Sequence, residues 1–303
     1  MNKDVYREKV KLLLQLMPFV MQEQVFAVHG GSAINLFVKD MPRYSVDIDL
    51  TYIPLADREE SIADINAHLK SIADNAISNL KGLHIVPKYD TCKLLCEYHG
   101  HQIKIEVNQT KRGIIGGELQ RKSLCDKAQT EFEMFCKAVI VPPTLLYGGK
   151  IAAALSRQHP RDLFDVKYMD VPLADVREGL IFCLIGSDKP IYESLAPQLI
   201  DQREAMENQF KGMTDIDFSY DEYEQTRTKL ITDVRNLMTD ADRKFLLSFE
   251  VAEPQWEGYE FEHFRNYPSV QWKQLNLVKL KKQNPTKLNS GVKKLEKVFD
   301  GLR

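Results

Sequence analysis

The sequence has few cysteines, almost no net charge and no long apolar run, and each absence excludes a class of protein. Its five cysteines are an odd number without the spacing of a disulfide framework, which predicts reduced thiols in a cytoplasmic protein. Lys and Arg total 41 against 43 Asp and Glu, so overall charge indicates no nucleic-acid partner and leaves only a local basic patch. No apolar stretch is long enough to span a bilayer, so we expect no membrane contact.

The N-terminal apolar run, residues 11–21, has only part of the pattern of a signal peptide. Asp4 and Glu8 interrupt the basic region before it, and Gln15 and Pro18 interrupt the run itself. No small-residue cleavage site follows at the right distance. We therefore expect this run to form a core helix.

The hydrophobic pattern changes near residues 137–143. Short apolar runs and alternating segments before this point predict strands between helices, whereas apolar residues after it recur at helical spacing. We predict an α+β fold, with a small mixed sheet flanked by helices in residues 1–140 and a mostly helical domain in residues 141–303. The expected strands are 25–28, 46–53, 83–86, 91–98 and 102–108, and the stretch that starts at Ile114 is expected to be a loop. The expected helices of the second half are 144–157, 161–169, 172–185, 198–210, 220–237 and 240–250.

A glycine pair stands where the first predicted strand meets a helix. Gly30 and Gly31 let the backbone approach a ligand closely, and the helix that follows points free N–H groups at it. Ser32 can cap this helix or donate to a phosphate oxygen. A plain turn with a cap accounts for the same three residues, so both interpretations stay open at this point.

Asp47 and Asp49 are two residues apart in an alternating segment. On a strand their carboxylates project from one face, while Val46, Ile48 and Leu50 fill the other. Two adjacent carboxylates repel each other unless a cation lies between them, and oxygen ligands suit Mg²⁺. A solvated strand face is the alternative, but the apolar opposite face favours carboxylates that line a cleft.

A third acid, Glu106, lies on the polar face of a later predicted strand, residues 102–108. Three carboxylates on neighbouring strands can hold two Mg²⁺ ions. One ion lowers the pKa of an attacking hydroxyl, and the other neutralises the leaving pyrophosphate. We therefore predict that Asp47, Asp49 and Glu106 are the metal ligands of a nucleotidyltransferase.

Motifs in three parts of the chain agree with the pattern of one known family. They are Gly30-Gly31-Ser32-Ala33 with Arg43-Tyr44-Ser45-Val46-Asp47-Ile48-Asp49-Leu50, then Lys150 with Arg161-Asp162-Leu163-Phe164-Asp165, and finally Phe245-Leu246-Leu247-Ser248 with Pro268-Ser269-Val270-Gln271-Trp272-Lys273. Together they resemble the AbiEii family, nucleotidyltransferase toxins of bacterial abortive-infection and toxin–antitoxin systems. The resemblance covers about residues 25–280.

This resemblance implies a fold of the DNA polymerase β type and transfer of a nucleoside monophosphate from an NTP. It implies that Asp47 and Asp49 bind metal, that Ser32 contacts phosphate beside Gly30 and Gly31, that Lys150 and Asp165 are essential, and that Arg43 either contacts a phosphate or braces Asp47. From the residues themselves, Lys150 can place its ammonium on the triphosphate. Asp165 either orients Lys150 or forms an ordinary i,i+4 pair with Arg161.

The acceptor is the part of the reaction that the sequence determines least. The chain ends in a basic tail whose cations are Lys273, Lys279, Lys281, Lys282, Lys287, Lys293, Lys294, Lys297 and Arg303. Such a run is either a solvated helix end or a surface for an RNA backbone. We expect an RNA acceptor such as tRNA, and the resemblance also implies a cognate antitoxin protein. The alternatives are transfer to a protein or a small molecule, and a nucleotide-binding module without turnover.

Overall fold

The computed structural model of the chain describes residues 3–301, so Arg303 of the predicted basic tail lies outside the described residues. The chain packs as two compact units. The first unit runs to Pro142 and also contains Glu204–Asp217, whereas the second contains Pro143–Arg203 and the chain from Phe218 onward. The sequence did not predict that Glu204–Asp217 packs with the first unit.

The first unit is built on a mixed sheet, as the α+β prediction required. Within residues 3–301, seven strands pair in the order β3-β4-β5-β2-β1-β7-β6. The pairs β1–β7 and β2–β5 are parallel and the others are antiparallel. The strands are β1 Phe26–His29, β2 Ile48–Tyr52, β3 His84–Lys88, β4 Lys93–Tyr98, β5 His101–Val107, β6 Gln120–Ser123 and β7 Lys137–Ile140. The helices are α1 Lys3–Val20, α2 Gly30–Ser32, α3 Arg58–Asn79 and α4 Asp126–Phe132, with a π-helical turn, Ala33–Val38, after α2.

Local sequence patterns account for most of these elements. Helix α1 packs its apolar side chains against β5 and α3, and Pro18 falls in its last turn, two residues before the helix ends. The residues His99-Gly100-His101 between two strand-like segments predict a hairpin turn. This hairpin joins β4 and β5 through His99 and Gly100, which both have positive φ, as a two-residue turn between twisted strands requires. These elements enclose a core of buried apolar side chains over the sheet.

The predicted loop after Ile114 is wrong over part of its length, because β6 and α4 lie within it. Strand β6 carries the polar residues Gln120, Arg121 and Lys122 at the edge of the sheet. An edge strand with two exposed basic residues has no alternation of apolar side chains, so its pairing with β7 is what defines it.

The second unit is helical, in agreement with the spacing of its apolar residues. Its helices are α5 Pro143–Arg157, α6 Pro160–Lys167, α7 Arg177–Ile185, α8 Ile191–Leu195, α9 Arg203–Ala205, α10 Tyr220–Leu237, α11 Asp240–Glu250, α12 Pro268–Gln283 and α13 Pro285–Asp300; α9, which spans the junction, continues as a π-helical turn, Met206–Phe210, in the first unit. Helices α5 and α7 cross at Gly148 and Gly179, where an added Cβ at Gly179 would lie 2.0 Å from the Thr144 carbonyl oxygen. The continuous helix predicted over residues 198–210 is wrong, since only α9 and the π-helical turn form there. Of the helices described, none has the length and apolarity to cross a membrane.

Candidate active site

Gly30 holds the backbone close to Asp49 at the end of β1. Its φ is +68°, and a Cβ atom added there would lie 2.6 Å from Asp49 Oδ2. This proximity follows from the sheet register, because His29, the residue before Gly30, pairs with Asp49 on the antiparallel strand β2. A glycine is therefore required here by both backbone conformation and space.

Asp49 is on β2, which lies between β1 and β5 in the sheet. Its neighbour on β5 is Glu106. In the parallel pairing of β2 with β5, Asp49 is directly opposite Glu106 and Ile48 is opposite Ile105. Strands in a sheet are about 4.8 Å apart, so the two acids are neighbours on the sheet. Asp47 was predicted to lie within the strand, but β2 begins at Ile48. The Asp47 carboxylate instead accepts the backbone N–H of Lys104 at 3.3 Å.

The ammonium of Lys104 lies among these three acids. Its Nζ is 3.0 Å from Glu106 Oε2 and 4.0 Å from Asp47 Oδ2, and Lys93 Nζ is 2.9 Å from Glu106 Oε1. Burial opposes the charged ammonium, but the hydrogen bond to Glu106 and the charges of Asp47, Glu106 and Asp49 together raise the pKa of Lys104. Burial likewise opposes the charged form of Glu106, yet hydrogen bonds from Lys93 and Lys104 hold its pKa below the ordinary value. Glu106 is thus ionised, and its charge is partly neutralised by the two lysines.

The donor set fits a divalent cation in chemistry and charge. Asp47 and Glu106 are each about 30% exposed, so water and an ion can reach their oxygens. Within residues 3–301 no group of three or more His, Cys, Asp or Glu side chains is arranged as a complete ligand set. For Glu106 to become a metal ligand, its carboxylate would have to give up its contacts with the ammonium groups of Lys93 and Lys104. The ammonium of Lys104 lies where a positive charge balances the charges of Asp47 and Glu106.

Ser32 and Arg43 are buried beside the glycine pair and hold the segment that carries Asp47. The Ser32 hydroxyl donates to the Asp47 carbonyl oxygen and lies 3.2 Å from Ser45 Oγ, so it is directed at this segment rather than at the helix that it was predicted to cap. Arg43 Nη1 donates to the Tyr44 carbonyl oxygen at 2.9 Å. A Cβ atom added at Gly31 would lie 2.9 Å from Arg43 Nη2. Contacts of these residues with phosphate stay a prediction.

Lys150 lies inside the second unit and faces two carboxylates. Its Nζ is 3.0 Å from Asp162 Oδ1 and 2.9 Å from Asp165 Oδ2, and its side chain is 5% exposed. Arg157 also donates to Asp162, through Nε at 2.5 Å and Nη2 at 3.0 Å. Burial opposes the charged form of Asp162, but Lys150 and Arg157 hold its pKa well below the ordinary value. The predicted contact of Lys150 with a triphosphate stays a prediction, since its ammonium is committed to two acids here.

Asp162 is the member of this cluster that the sequence analysis missed. It shares Lys150 with Asp165, and it is also the partner of Arg157. Asp162 and Asp165 are three residues apart on α6, and residues at this spacing lie on one face of a helix. This spacing, in a sequence that also places Arg157 five residues before Asp162, was the signal that could have identified it.

Comparisons with known proteins identify a matching family and a similar fold. The family model for the nucleotidyl transferase AbiEii toxin of the type IV toxin–antitoxin system matches residues 11–179. Seven chains of known structure match this one, and they include the nucleotidyltransferase toxin MenT4 from Mycobacterium tuberculosis H37Rv. MenT4 is 12% identical, with a TM-score of 0.56 over 91% of this chain and 99% of that chain, so this likeness concerns the fold. No curated protein sequence matches the chain.

Proposed function

The chain belongs to the AbiEii family of nucleotidyltransferase toxins of type IV toxin–antitoxin systems, and we propose that it transfers a nucleoside monophosphate from an NTP to an RNA such as tRNA. The observation that carries this proposal is the pairing of Asp49 with Glu106 on adjacent strands, beside Asp47 and around one ammonium. Three acids held together around one ammonium favour a site that takes up a more highly charged cation. The family also implies an antitoxin partner.

Asp47, Asp49 and Glu106 would hold the metal, and their number suffices for two Mg²⁺ ions. Bound there, Mg²⁺ lowers the pKa of an attacking hydroxyl and neutralises the pyrophosphate that leaves. Two residues of the chain position these acids. Gly30 leaves room for the Asp49 carboxylate, and the Ser32 hydroxyl holds the backbone of Asp47 through a hydrogen bond. The ammonium of Lys104 balances part of the negative charge of this cluster.

The acceptor is proposed from the basic tail, part of which the fold uses for itself. Lys273 is buried and donates to the Lys189 carbonyl oxygen, and Lys281 pairs with Glu253. The exposed members are Lys279, Lys282, Lys287, Lys293, Lys294 and Lys297. Exposed lysines along two consecutive helices suit the phosphates of an RNA backbone. Both NTPs and RNA are available in the cytoplasm, where we place the protein.

The catalytic part of the proposal is tested with labelled NTPs, Mg²⁺ and total cellular RNA or protein. Asp47→Asn and Asp49→Asn should each abolish transfer and relieve growth arrest on expression, while far-UV circular dichroism stays unchanged, because both residues are half-exposed and outside the core. Normal turnover by either variant would refute the site. Label that appears in protein and not in RNA would refute the proposed acceptor alone.

The RNA surface is tested by charge removal in matched sets. Replacing the exposed Lys279, Lys282 and Lys293 with Gln should weaken RNA binding and lower the slope of log affinity against log salt by about 2, since fewer counterions are released. The control replaces three exposed lysines of the first unit, Lys11, Lys81 and Lys88. Equal slopes for the tail variant and the wild type would show that the tail is only a solvated helix surface.

A further inference from the structure

Two large apolar side chains of α12 are exposed side by side in the second unit. Trp272 is 51% exposed and Leu275 is 64% exposed. They are three residues apart on one helix, so they lie on the same face. The helix packs through other residues, and those that it buries are Ser269, Val270, Lys273 and Leu277. Single exposed apolar residues are common on protein surfaces, whereas a tryptophan beside a leucine forms an apolar patch, and tryptophan is enriched among residues that carry binding energy.

This apolar patch lies in a stretch of chain whose charged residues are all basic. Residues 263–295 contain no Asp or Glu, although the whole chain contains 43. Lys279 and Lys282 are exposed on α12, about 10 and about 15 Å beyond Trp272 along the helix axis. Arg265 is exposed just before the helix, and its carbonyl oxygen accepts the Gln271 amide at 3.1 Å. The residues on both sides of the patch therefore carry positive charge.

The chemistry of this face fits an acidic amphipathic helix of a partner protein. Such a helix presents apolar side chains at i, i+3 and i+4, which can cover Trp272 and Leu275 together. Its carboxylates would face Lys279 and Lys282, and complementary charge steers association and fixes register. An apolar centre with a polar rim is the usual arrangement of protein–protein interfaces. An RNA matches this face less well, because a base can stack on Trp272 but finds no ring on Leu275.

We propose that this face of α12 binds an acidic amphipathic helix of a partner protein, anchored on Trp272 and Leu275. The bound helix covers Lys279 and Lys282, which are also two of the lysines proposed to hold RNA. The partner and RNA therefore exclude each other, and this consequence rests on the proposed function. Binding of the helix does not depend on nucleotide transfer, because the face lies on α12 and not in the acid cluster of the first unit.

The test uses the full chain and, as the probe, a designed peptide of about 16 residues with leucines on one helical face and glutamates on the other. The sequence contains two tryptophans, so Trp256→Phe leaves Trp272 as the only one. Phenylalanine keeps an aromatic ring beside Phe245, whose ring centre is 4.7 Å from that of Trp256. The peptide should shift the Trp272 emission to shorter wavelength in a saturable manner, because the bound helix removes the indole from water.

Affinity for the labelled peptide identifies the anchors. Trp272→Ala and Leu275→Ala should each weaken binding at least about tenfold, without a change in melting temperature, because both side chains are largely outside the core. Leu199→Ala is the matched control: Leu199 is 57% exposed elsewhere in the second unit, and its removal should leave the affinity unchanged. A peptide of the same composition in scrambled order should bind at least about tenfold more weakly, since charge alone does not place leucines on one face.

Each result decides the proposal without a measurement of transfer. No saturable binding, equal affinity for the scrambled peptide, or full affinity in Trp272→Ala would overturn it. A single-stranded RNA that quenches Trp272 where the peptide fails to bind would assign this face to RNA, and would also overturn it. Added peptide should displace RNA from the wild type, and simultaneous binding of both would refute the stated exclusion. The nucleotidyltransferase reaction is left to its own assay in every case.

Discussion

Replacing Gly30 with Ala tests whether the contact between the glycine backbone and Asp49 serves catalysis. The added Cβ atom would lie 2.6 Å from Asp49 Oδ2 and 3.3 Å from Asp49 Cβ and Cγ. The carboxylate is the far end of a flexible side chain, so it can turn away from the methyl group without disturbing the core. The substitution therefore displaces the group that is proposed to bind the metal.

The change in stability and the change in activity can be separated by a matched glycine. Gly30 has φ +68° and Gly100 has φ +78°, and no atom lies within 4 Å of a Cβ added at Gly100. An alanine at positive φ costs about 1–2 kcal/mol of unfolding free energy, and both variants should lose this amount. Displacement of a catalytic group by about 1 Å lowers turnover by about 100-fold, and only Gly30→Ala should show this loss.

The two variants are compared by urea unfolding and by transfer of labelled nucleotide under the same conditions. Similar losses of stability with a selective loss of turnover in Gly30→Ala are expected. If both variants keep full activity, the close approach of Gly30 to Asp49 has no part in the reaction. If both lose activity equally, the effect is one of stability, and the geometric argument is refuted.

Three further substitutions test the charged clusters. Lys150→Ala leaves Asp162 and Asp165 buried without their shared cation, so denaturant unfolding should show a loss of about 3–5 kcal/mol, and full stability with lost activity would contradict this packing role. Lys104→Gln removes the ammonium that competes for the three acids, so Mg²⁺ should raise the melting temperature at lower concentration than in the wild type; an unchanged or higher requirement would argue against competition. The raised pKa of Glu250 means that its contribution to stability is full below its ordinary value of 4.5 and is lost as pH rises through the raised value. Glu250→Gln should therefore gain stability relative to the wild type as pH rises above the ordinary value of 4.5, and a difference in stability that stays constant over this rise would refute the raised pKa.

Local spacing in the sequence was sufficient for the features whose causes are local. Helices α10 and α11 were predicted over their observed ranges, and each begins with a capping box, Ser219 with Glu222 and Thr239 with Asp242. The His99-Gly100 turn between two alternating segments predicted a hairpin. These features depend on residues at most four apart, so they can be recognised without knowledge of the rest of the fold.

Features that depend on pairing between distant residues were decided only by the tertiary structure. Strand β6 exists because it pairs with β7, and its own side chains give no apolar alternation. The sequence placed Asp47 and Glu106 in the site, but the sheet register brings the ammonium of Lys104 among them. Similarly, the burial of Glu250, which is only 4% exposed, depends on how the helices of the second unit pack around it. Register, burial and hydrogen-bond satisfaction are properties of the packed chain, and no periodicity along the sequence encodes them directly.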